Sequence, residues 1–350
     1  MPGIDAVAAL AGVSTATVSR ALSGNGHVSP STRVRVHDAA RELGYVVSSP
    51  ASSLASGRTK NVGVVVPFIS RWFYSSVLEG AGSALLKNGY DLTLYGLTGG
   101  GGVDERRSVF EHFLLRKRVD AVLALTIELT TGELQSLLDL KKPIVGIGGP
   151  LAGVQTLSID DVGVALLATE HLLGLGHRCI GMIGGESGFE LDFHLPTNRR
   201  AGYERALRSA GIEPAPHLFL PADFTIRGGY QAATALLRDP RSRPSALFAA
   251  SDEMAMGSIL AARDLGLSVP GDVSIIGIDG HEHSDFFGLT TVAQFPERQG
   301  AHAVEMLMDQ LHPGRRDPTP TNIPLPVELI VRTSTAPPSP PPLPPAAPAP

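Results

Sequence analysis

The residues best suited to chemistry lie in the stretch AGVSTATVSRALSG, Ala11 to Gly24. Wound into a helix, it turns Val18 and Leu22 to one side and Thr15, Ala16 and Arg20 to the other. An outward arginine near a helix N-terminus donates two parallel hydrogen bonds to guanine O6 and N7. Thr15 and Ala16 are short enough to meet a thymine methyl or a polar base edge. Ser14, Thr17 and Ser19 suit phosphate oxygens, which place a protein on a duplex without reading its sequence. The chemistry on offer is recognition of double-stranded DNA.

The flanking sequence supplies what must hold that helix. Ile4, Val7, Ala8 and Ala11 recur at helical spacing, Gly12-Val13 breaks the run, and Ser14 is placed to cap the next helix. SPSTRVRVHDAARELGY predicts a third helix, with Ser29 as its cap, Pro30 at its first position and Val34, Ala40 and Leu43 turned inward. Two short helices about a tight glycine turn form a helix-turn-helix. On periodicity alone an ordinary Ala-rich bundle fits equally well. Charge bears on the choice. Residues 1–60 hold six cations against three carboxylates, a net of +3, which leaves −8 for the rest of a chain whose total is −5. A basic arm on an acidic body implies an anionic partner at one end.

Beyond VSSPASSLASGRTK, a Ser/Ala/Pro-rich connector over residues 47–60, the texture changes. Apolar runs such as NVGVVVPF, DAVLALT, PIVGIGG, CIGMIGG, ALFAAS and VSIIGID alternate with helical stretches. Gly89, Gly176, Gly211 and Gly266 follow helix ends. This pattern predicts parallel sheets covered on both faces, and its length predicts two doubly wound subdomains. The end, TAPPSPPPLPPAAPAP, is too rich in proline for helix or interior strand and is expected to be a disordered tail. Cys179, the single cysteine, is expected to be a buried structural thiol. No leader pattern opens the chain and no apolar run approaches about 18 residues, so a soluble cytoplasmic protein with no membrane partner is expected.

Signatures of catalysis are weak. TGGGG lacks the Lys-Ser/Thr of a phosphate-binding loop, and there is no CxxC pair, HExxH or GxSxG. His281 and His283 in GHEHSD lack a third ligand at a known spacing and are assigned to a loop at a cleft edge. No catalytic residue, metal or cofactor is expected.

The quoted headpiece, AGVSTATVSRALSGNGHVSPSTRVRVHDAARELGY, resembles that of the lactose-repressor (LacI/GalR) family of bacterial transcription regulators. The likeness continues through EHLLGLGHRCIGMIGG, NRRAGYERAL, LFAASDEMAMGSI, LGLSVPGDVSIIGIDG, LTTVAQ and ELIVRTST, covering about residues 4–335. It implies an all-α helix-turn-helix headpiece over residues 1–46 and a hinge over 47–60. A periplasmic-binding-protein-like α/β effector domain would follow over 61–335, and a tail over 336–350. The effector domain would divide into an N-subdomain of about 61–157 and 288–322 and a C-subdomain of about 158–287 and 323–335.

The resemblance also implies a homodimer on operator DNA, controlled by a small effector, a sugar or a sugar derivative such as a phosphorylated sugar, held in the cleft between subdomains. The hinge would insert Leu54 into the minor groove, although Val47-Ser48, Ser52 and Pro50 depart from the usual hinge. Trp72, Phe73, Arg199, Phe224, Ser251, Asp279 and Gln294 would contact the effector, with Arg71 at the mouth. Arg199 would clamp ligand oxygens opposite Asp279, and Phe224 would stack on a sugar face. Gly148 stands where Asp is common, and Ser251 where Asn is common. Asp160-Asp161 is assigned as a structural pair and Asp252 as the cap of the helix from Glu253. The rival reading, a solute-binding protein for transport, leaves residues 4–46 unexplained.

Overall fold

The computed structural model describes residues 2–23, 27–45, 58–97, 106–114, 118–185, 194–311 and 321–339. Leu54 and Pro50, most of the connector and the last eleven residues lie outside them. Contacts divide the chain into two units, Met1–Asn61 with Arg118–Asp120, and the remainder.

In the first unit, α1 (Ile4–Ala11), α2 (Thr15–Ser23) and α3 (Pro30–Glu42) enclose a small core. Gly12 ends α1 at φ +64°, and the Ser14 hydroxyl accepts from the Thr17 amide at 3.2 Å, capping α2. Ser29 likewise caps α3 by accepting from the Thr32 amide, with Pro30 in the first turn. The core comprises Val7, Ala8, Ala11, Val18, Ala21, Val36, Ala39 and Ala40. Val34, expected inward, is instead 59% exposed. Val36, Ala39, Ala40 and Leu43 form the three- and four-residue repeat that faces α1 and α2, and Val34 lies two residues, about 200°, off that stripe. In the same unit the buried Asp120 grips the end of the connector. Its Oδ1 accepts from the amide and hydroxyl of Thr59 at 2.9 and 3.0 Å, and its Oδ2 from the Lys60 amide at 2.9 Å.

The second unit contains two six-stranded sheets. The strands are β1 (Asn61–Val66), β2 (Asp91–Gly96), β3 (Ala121–Leu125), β4 (Ile144–Ile147), β5 (Gln155–Ser158), β6 (Ile180–Gly185), β7 (Phe219–Ala222), β8 (Ala246–Ala249), β9 (Ser274–Asp279), β10 (Thr290–Ala293), β11 (Asn322–Pro324) and β12 (Glu328–Ile330). The first sheet runs β11-β5-β4-β3-β1-β2 and the second β12-β10-β9-β8-β6-β7; β12 joins antiparallel to β10. Every residue of β3, β4, β6, β8 and β9 is buried. That is why these segments read as continuous apolar runs rather than alternating ones. Each fully buried Val, Leu or Ile contributes about 1.5–3 kcal/mol of transfer free energy, and these strands dominate both cores.

The helices of this unit are α4 (Trp72–Lys87), α5 (Thr131–Asp139), α6 (Asp161–Gly174), α7 (Leu195–Ser209), α8 (Ile226–Leu237), α9 (Asp252–Asp264) and α10 (Pro296–Leu311). The stretch RRSVFEHFLLRKRV is α-helical over residues 106–108 and continues as a π-type turn over Val109–Phe113. The chain passes between subdomains after β5, after β10 and between β11 and β12. The boundary expected near residue 288 therefore falls after Ala293, because β10 pairs with β9, Thr290 opposite Ile276 and Ala293 opposite Asp279. The third crossing likewise lies beyond Pro324, since β11 pairs with β5.

Cys179 corrects a second expectation, for its side chain is exposed. It precedes β6 in the turn after α6, where its carbonyl accepts from the Ser245 amide and only its backbone is held by the sheet.

Candidate functional site: a DNA-facing helix and a ligand cleft

On α2 the burial alternates as a DNA-reading helix requires. Val18 and Ala21 are buried and Leu22 half-buried, whereas Ser14, Thr15, Ala16, Ser19 and Arg20 are exposed. Thr17 is half-buried, and its hydroxyl lies 2.9 Å from that of Ser14. The exposed face carries one guanidinium, three hydroxyls and the methyl groups of Thr15 and Ala16, a set that accommodates both base edges and phosphates.

In the second unit a cavity opens where strands of both sheets end. Its walls include Pro67 after β1, Thr126 after β3, Gly148 after β4, Ile159 after β5, Ala222 at the end of β7, Ser251 after β8, Asp279 at the end of β9 and Gln294 after β10. Open parallel sheets bind ligands at these carboxyl ends. Of the seven residues expected to contact an effector, Phe73, Arg199, Phe224, Ser251, Asp279 and Gln294 line this cavity, as does Arg71. Trp72 is not among the lining residues; its ring stacks on His281, with centroids 4.3 Å apart and planes at 27°.

Arg199 owes its position to the close approach of α6 and α7. A Cβ on Gly202 would stand 2.2 Å from the Val162 carbonyl, so glycine alone permits this spacing. Thus held, Arg199 donates from Nε to Asp161 Oδ1 at 2.8 Å and from its terminal nitrogen to the Ala250 carbonyl. Both members of this ion pair are nearly inaccessible. Burial pushes the Asp161 carboxyl up while Arg199 pulls it down. Asp160 caps α6 through the Gly163 amide, so the two aspartates divide: one is structural and the other lines the cavity.

Asp279 ends β9 at φ +135°, a conformation that L-residues rarely adopt and that ligand sites retain under strain. Its Oδ1 accepts from Gln294 Nε2 at 2.6 Å, and Gln299 Nε2 in turn donates to the Gln294 carbonyl at 2.7 Å. Burial pushes its carboxyl up to about 8. The Asp252 charge adds to that rise, while Arg199 and Gln294 oppose it. Asp252 is not the cap of α9. Ser251 fills that role by accepting from the Met254 amide at 3.3 Å, which leaves Asp252 as a buried hub. Its carboxylate accepts from the His281 amide at 2.8 Å, the Ser284 hydroxyl at 3.0 Å and the Thr291 hydroxyl at 2.7 Å.

Four aromatic rings also border the cavity: Phe68, Phe73, Tyr74 and Phe224. Phe73 and Tyr74 meet edge to face at 5.5 Å, and the Arg71 guanidinium lies 4.0 Å over Phe68. Phe224, at φ +59°, packs against the core of the second subdomain while bordering the cavity. Thr126, Asp161, Asp223, Glu253 and Gln299 were not identified from sequence as contacts. They reach the cavity because strand ends converge in space, which only the sheet order reveals. Among the described residues no group of three or more His, Cys, Asp or Glu side chains is arranged to hold a metal.

A three-helix DNA-facing unit followed by two α/β subdomains around a cleft defines the class of ligand-controlled DNA-binding regulators. Comparison with known proteins agrees over both parts. The family described as "Bacterial regulatory proteins, lacI family" matches residues 3–48, and "Periplasmic binding protein-like domain" matches residues 169–335. The chain is 34% identical over 345 residues to the HTH-type transcriptional regulator CelR of Thermobifida fusca, covering 95% of this chain and 98% of that one. It is 32% identical over 317 residues to the HTH-type transcriptional repressor PurR of Vibrio atlanticus, covering 89% and 92%. A Lac repressor dimer bound to operator and the anti-inducer ONPF matches with a TM-score of 0.80 and 26% identity, over 94% of this chain and 98% of that one. A CelR–cellobiose complex matches with a TM-score of 0.68 and 32% identity, over 96% and 100%. The chain belongs to the LacI family of bacterial transcription regulators. It is a DNA-binding regulator controlled by a small effector, and the transport reading is set aside. No helix among the described residues is long and apolar enough to cross a membrane.

Proposed function

We propose that this protein is a cytoplasmic repressor that reads its operator with Thr15, Ala16 and Arg20, holds phosphates with Ser14, Thr17 and Ser19, and takes an uncharged ring-shaped polyol, such as a sugar, in the cleft. One observation carries the effector class. The cavity presents four carboxyl groups, Asp161, Asp223, Glu253 and a proton-holding Asp279, against two guanidinium groups, Arg71 and Arg199, beside four aromatic rings. Arg199 is already paired with Asp161. A phosphorylated ligand would be desolvated against this excess of negative charge. A neutral polyol finds acceptors in the carboxylates, donors in Gln294 and Arg199, and flat apolar faces in the rings. The likeness to a CelR–cellobiose complex supports the same class.

No catalytic role is assigned to the cavity residues. Ligand binding acts by favouring one arrangement of the subdomains, and the shift it produces is limited by its differential affinity for the two arrangements. The test is a thermal-shift comparison of neutral mono- and disaccharides with their phosphate esters, followed by gel shifts on DNA upstream of the neighbouring genes. Neutral sugars are expected to raise the melting temperature and change the gel shift. Stabilisation by phosphate esters alone would sink the reading.

A further inference from the structure

Trp72 was expected in the cavity and His281 in a loop at its edge; instead their rings lie face to face. Trp72 opens α4, which packs on the first sheet, and His281 follows β9 of the second sheet, so the stack bridges the cleft. The two partners are held differently. His281 is a fixed platform. Its amide donates to the buried Asp252 carboxylate, and its Nδ1 accepts from the His283 amide at 3.0 Å. Asp252 is itself tied to Thr291 on β10 and to Ser284. Trp72 is half-buried and rides on the first turn of a helix whose next two residues, Phe73 and Tyr74, line the cavity.

We propose that the Trp72–His281 stack is a clasp that holds the two subdomains together around the cleft and so sets the balance between closed and open forms. Because His281 Nδ1 accepts a hydrogen bond, the imidazole is neutral and the clasp works through ring contact rather than charge. Among the described residues the charged groups facing across this cleft include His194 Nε2 and Glu128 Oε1, exposed at 3.7 Å and subject to screening by salt, and Arg71 with Glu253. The ring stack is not subject to that screening. Both of its elements also carry cavity walls, Phe73 and Tyr74 on one side and Asp279 on the other. Parting the rings therefore separates the surfaces that must enclose a ligand. Loss of one ring pair is expected to change the open-to-closed ratio by about two- to tenfold.

Trp72 is the only tryptophan in the chain, so emission excited selectively at the indole, beyond the absorption of the tyrosines, reports the surroundings of this ring. The experiment uses the full-length protein without ligand, at low and high salt, and reads acrylamide quenching together with the radius of gyration from small-angle scattering. His281→Ala is expected to make Trp72 more quenchable and to enlarge the radius of gyration. His281→Phe, which preserves a flat ring, is expected to behave as wild type in both. A radius of gyration unchanged in His281→Ala, or a His281→Phe protein as open as His281→Ala, would overturn the clasp. Should His281→Ala fail to fold, Trp72→Ala removes the same stack from its more exposed side. Its radius of gyration then decides the matter, enlarged supporting the clasp and unchanged refuting it.

Discussion

Arg199 is bound by Asp161 at 2.8 Å, with both side chains withdrawn from solvent, so the cation that faces the cleft carries a counter-charge of its own. The pair fixes the guanidinium against α6 while leaving it on the cavity wall. Removing one partner from a buried ion pair strands the other, at a cost of about 3–5 kcal/mol. Asp161→Ala is therefore expected to lower the unfolding free energy by about that amount. The double variant Asp161→Ala/Arg199→Met should recover most of it, because the stranded charge is the source of the cost. Urea denaturation of both variants and of Arg199→Met alone checks this; single losses that simply add to that of the double variant would show that the pair is not coupled.

Asp279 gives the stability a pH signature. Its carboxyl titrates near 3.8 when unfolded and at about 8 when folded, chiefly because it is buried. Between those values the native state holds a proton that the unfolded chain has released. This contribution is therefore fully present below about pH 3.8 and is lost as pH rises through 8. His281 works in the opposite sense. Burial, and then His283, lowers it from 6.5 to about 4, so its contribution is present above 6.5 and lost as pH falls through 4. Asp279→Asn isolates the first effect. The stability of the variant relative to wild type should increase from pH 5 to pH 8.5, measured by denaturant unfolding at each pH. A constant difference would contradict the buried, proton-holding carboxyl.

The same two residues show where sequence reading stops. The strands were legible because a sheet covered on both faces must be apolar throughout, as β3 and β9 are. The glycines expected after helix ends, Gly89, Gly176, Gly211 and Gly266, all have positive φ. Asp279 is legible as a residue of IIGIDG and its partner Gln294 as one of LTTVAQ, but Gln299, which donates to Gln294, is not. Gln299 lies on α10, which packs on the other sheet and meets the cavity only through a chain crossing. Asp252 reads as a cap because it opens a helix, whereas Ser251 one residue earlier does the capping and frees Asp252 to tie His281, Ser284 and Thr291 together. Trp72 was misplaced for a similar reason. Helical spacing placed it beside Phe73 but could not indicate that His281 would occupy the space in front of it.

Gly148 is constrained by Thr126. Its φ is +108°, and a Cβ there would lie 2.9 Å from the Thr126 Cα, a backbone atom that cannot turn aside. Thr126 itself sits at φ +46°, with its buried hydroxyl unpartnered, so this corner of the cavity is already strained. Gly148→Ala is expected to cost more than about 1 kcal/mol and to lower the melting temperature by about 2–4 °C for each kcal/mol lost. Gly148→Asp, which adds a larger side chain against the same backbone atom, should cost more still. A Gly148→Asp protein as stable as wild type would show that the corner can yield.

On α2 the distinction between reading and holding can be measured residue by residue. Arg20 lies on the exposed face behind the buried Val18 and Ala21, and Ser19 lies beside it. If Arg20 forms a bidentate pair with a guanine, Arg20→Ala should weaken operator binding and relax preference at one base position by about 1–3 kcal/mol, leaving the other positions unchanged. Ser19→Ala should weaken binding to all sequences alike, because phosphate contacts carry no base information. Selection from a randomised duplex library, performed in parallel with wild type and both variants, yields the preference at each position. Binding at several salt concentrations then separates the two roles independently, since removing a phosphate-bound cation lowers the salt dependence by about one ion. Arg20→Ala with unaltered preferences and a reduced salt dependence would reassign Arg20 to the phosphate backbone and leave base reading to Thr15 and Ala16.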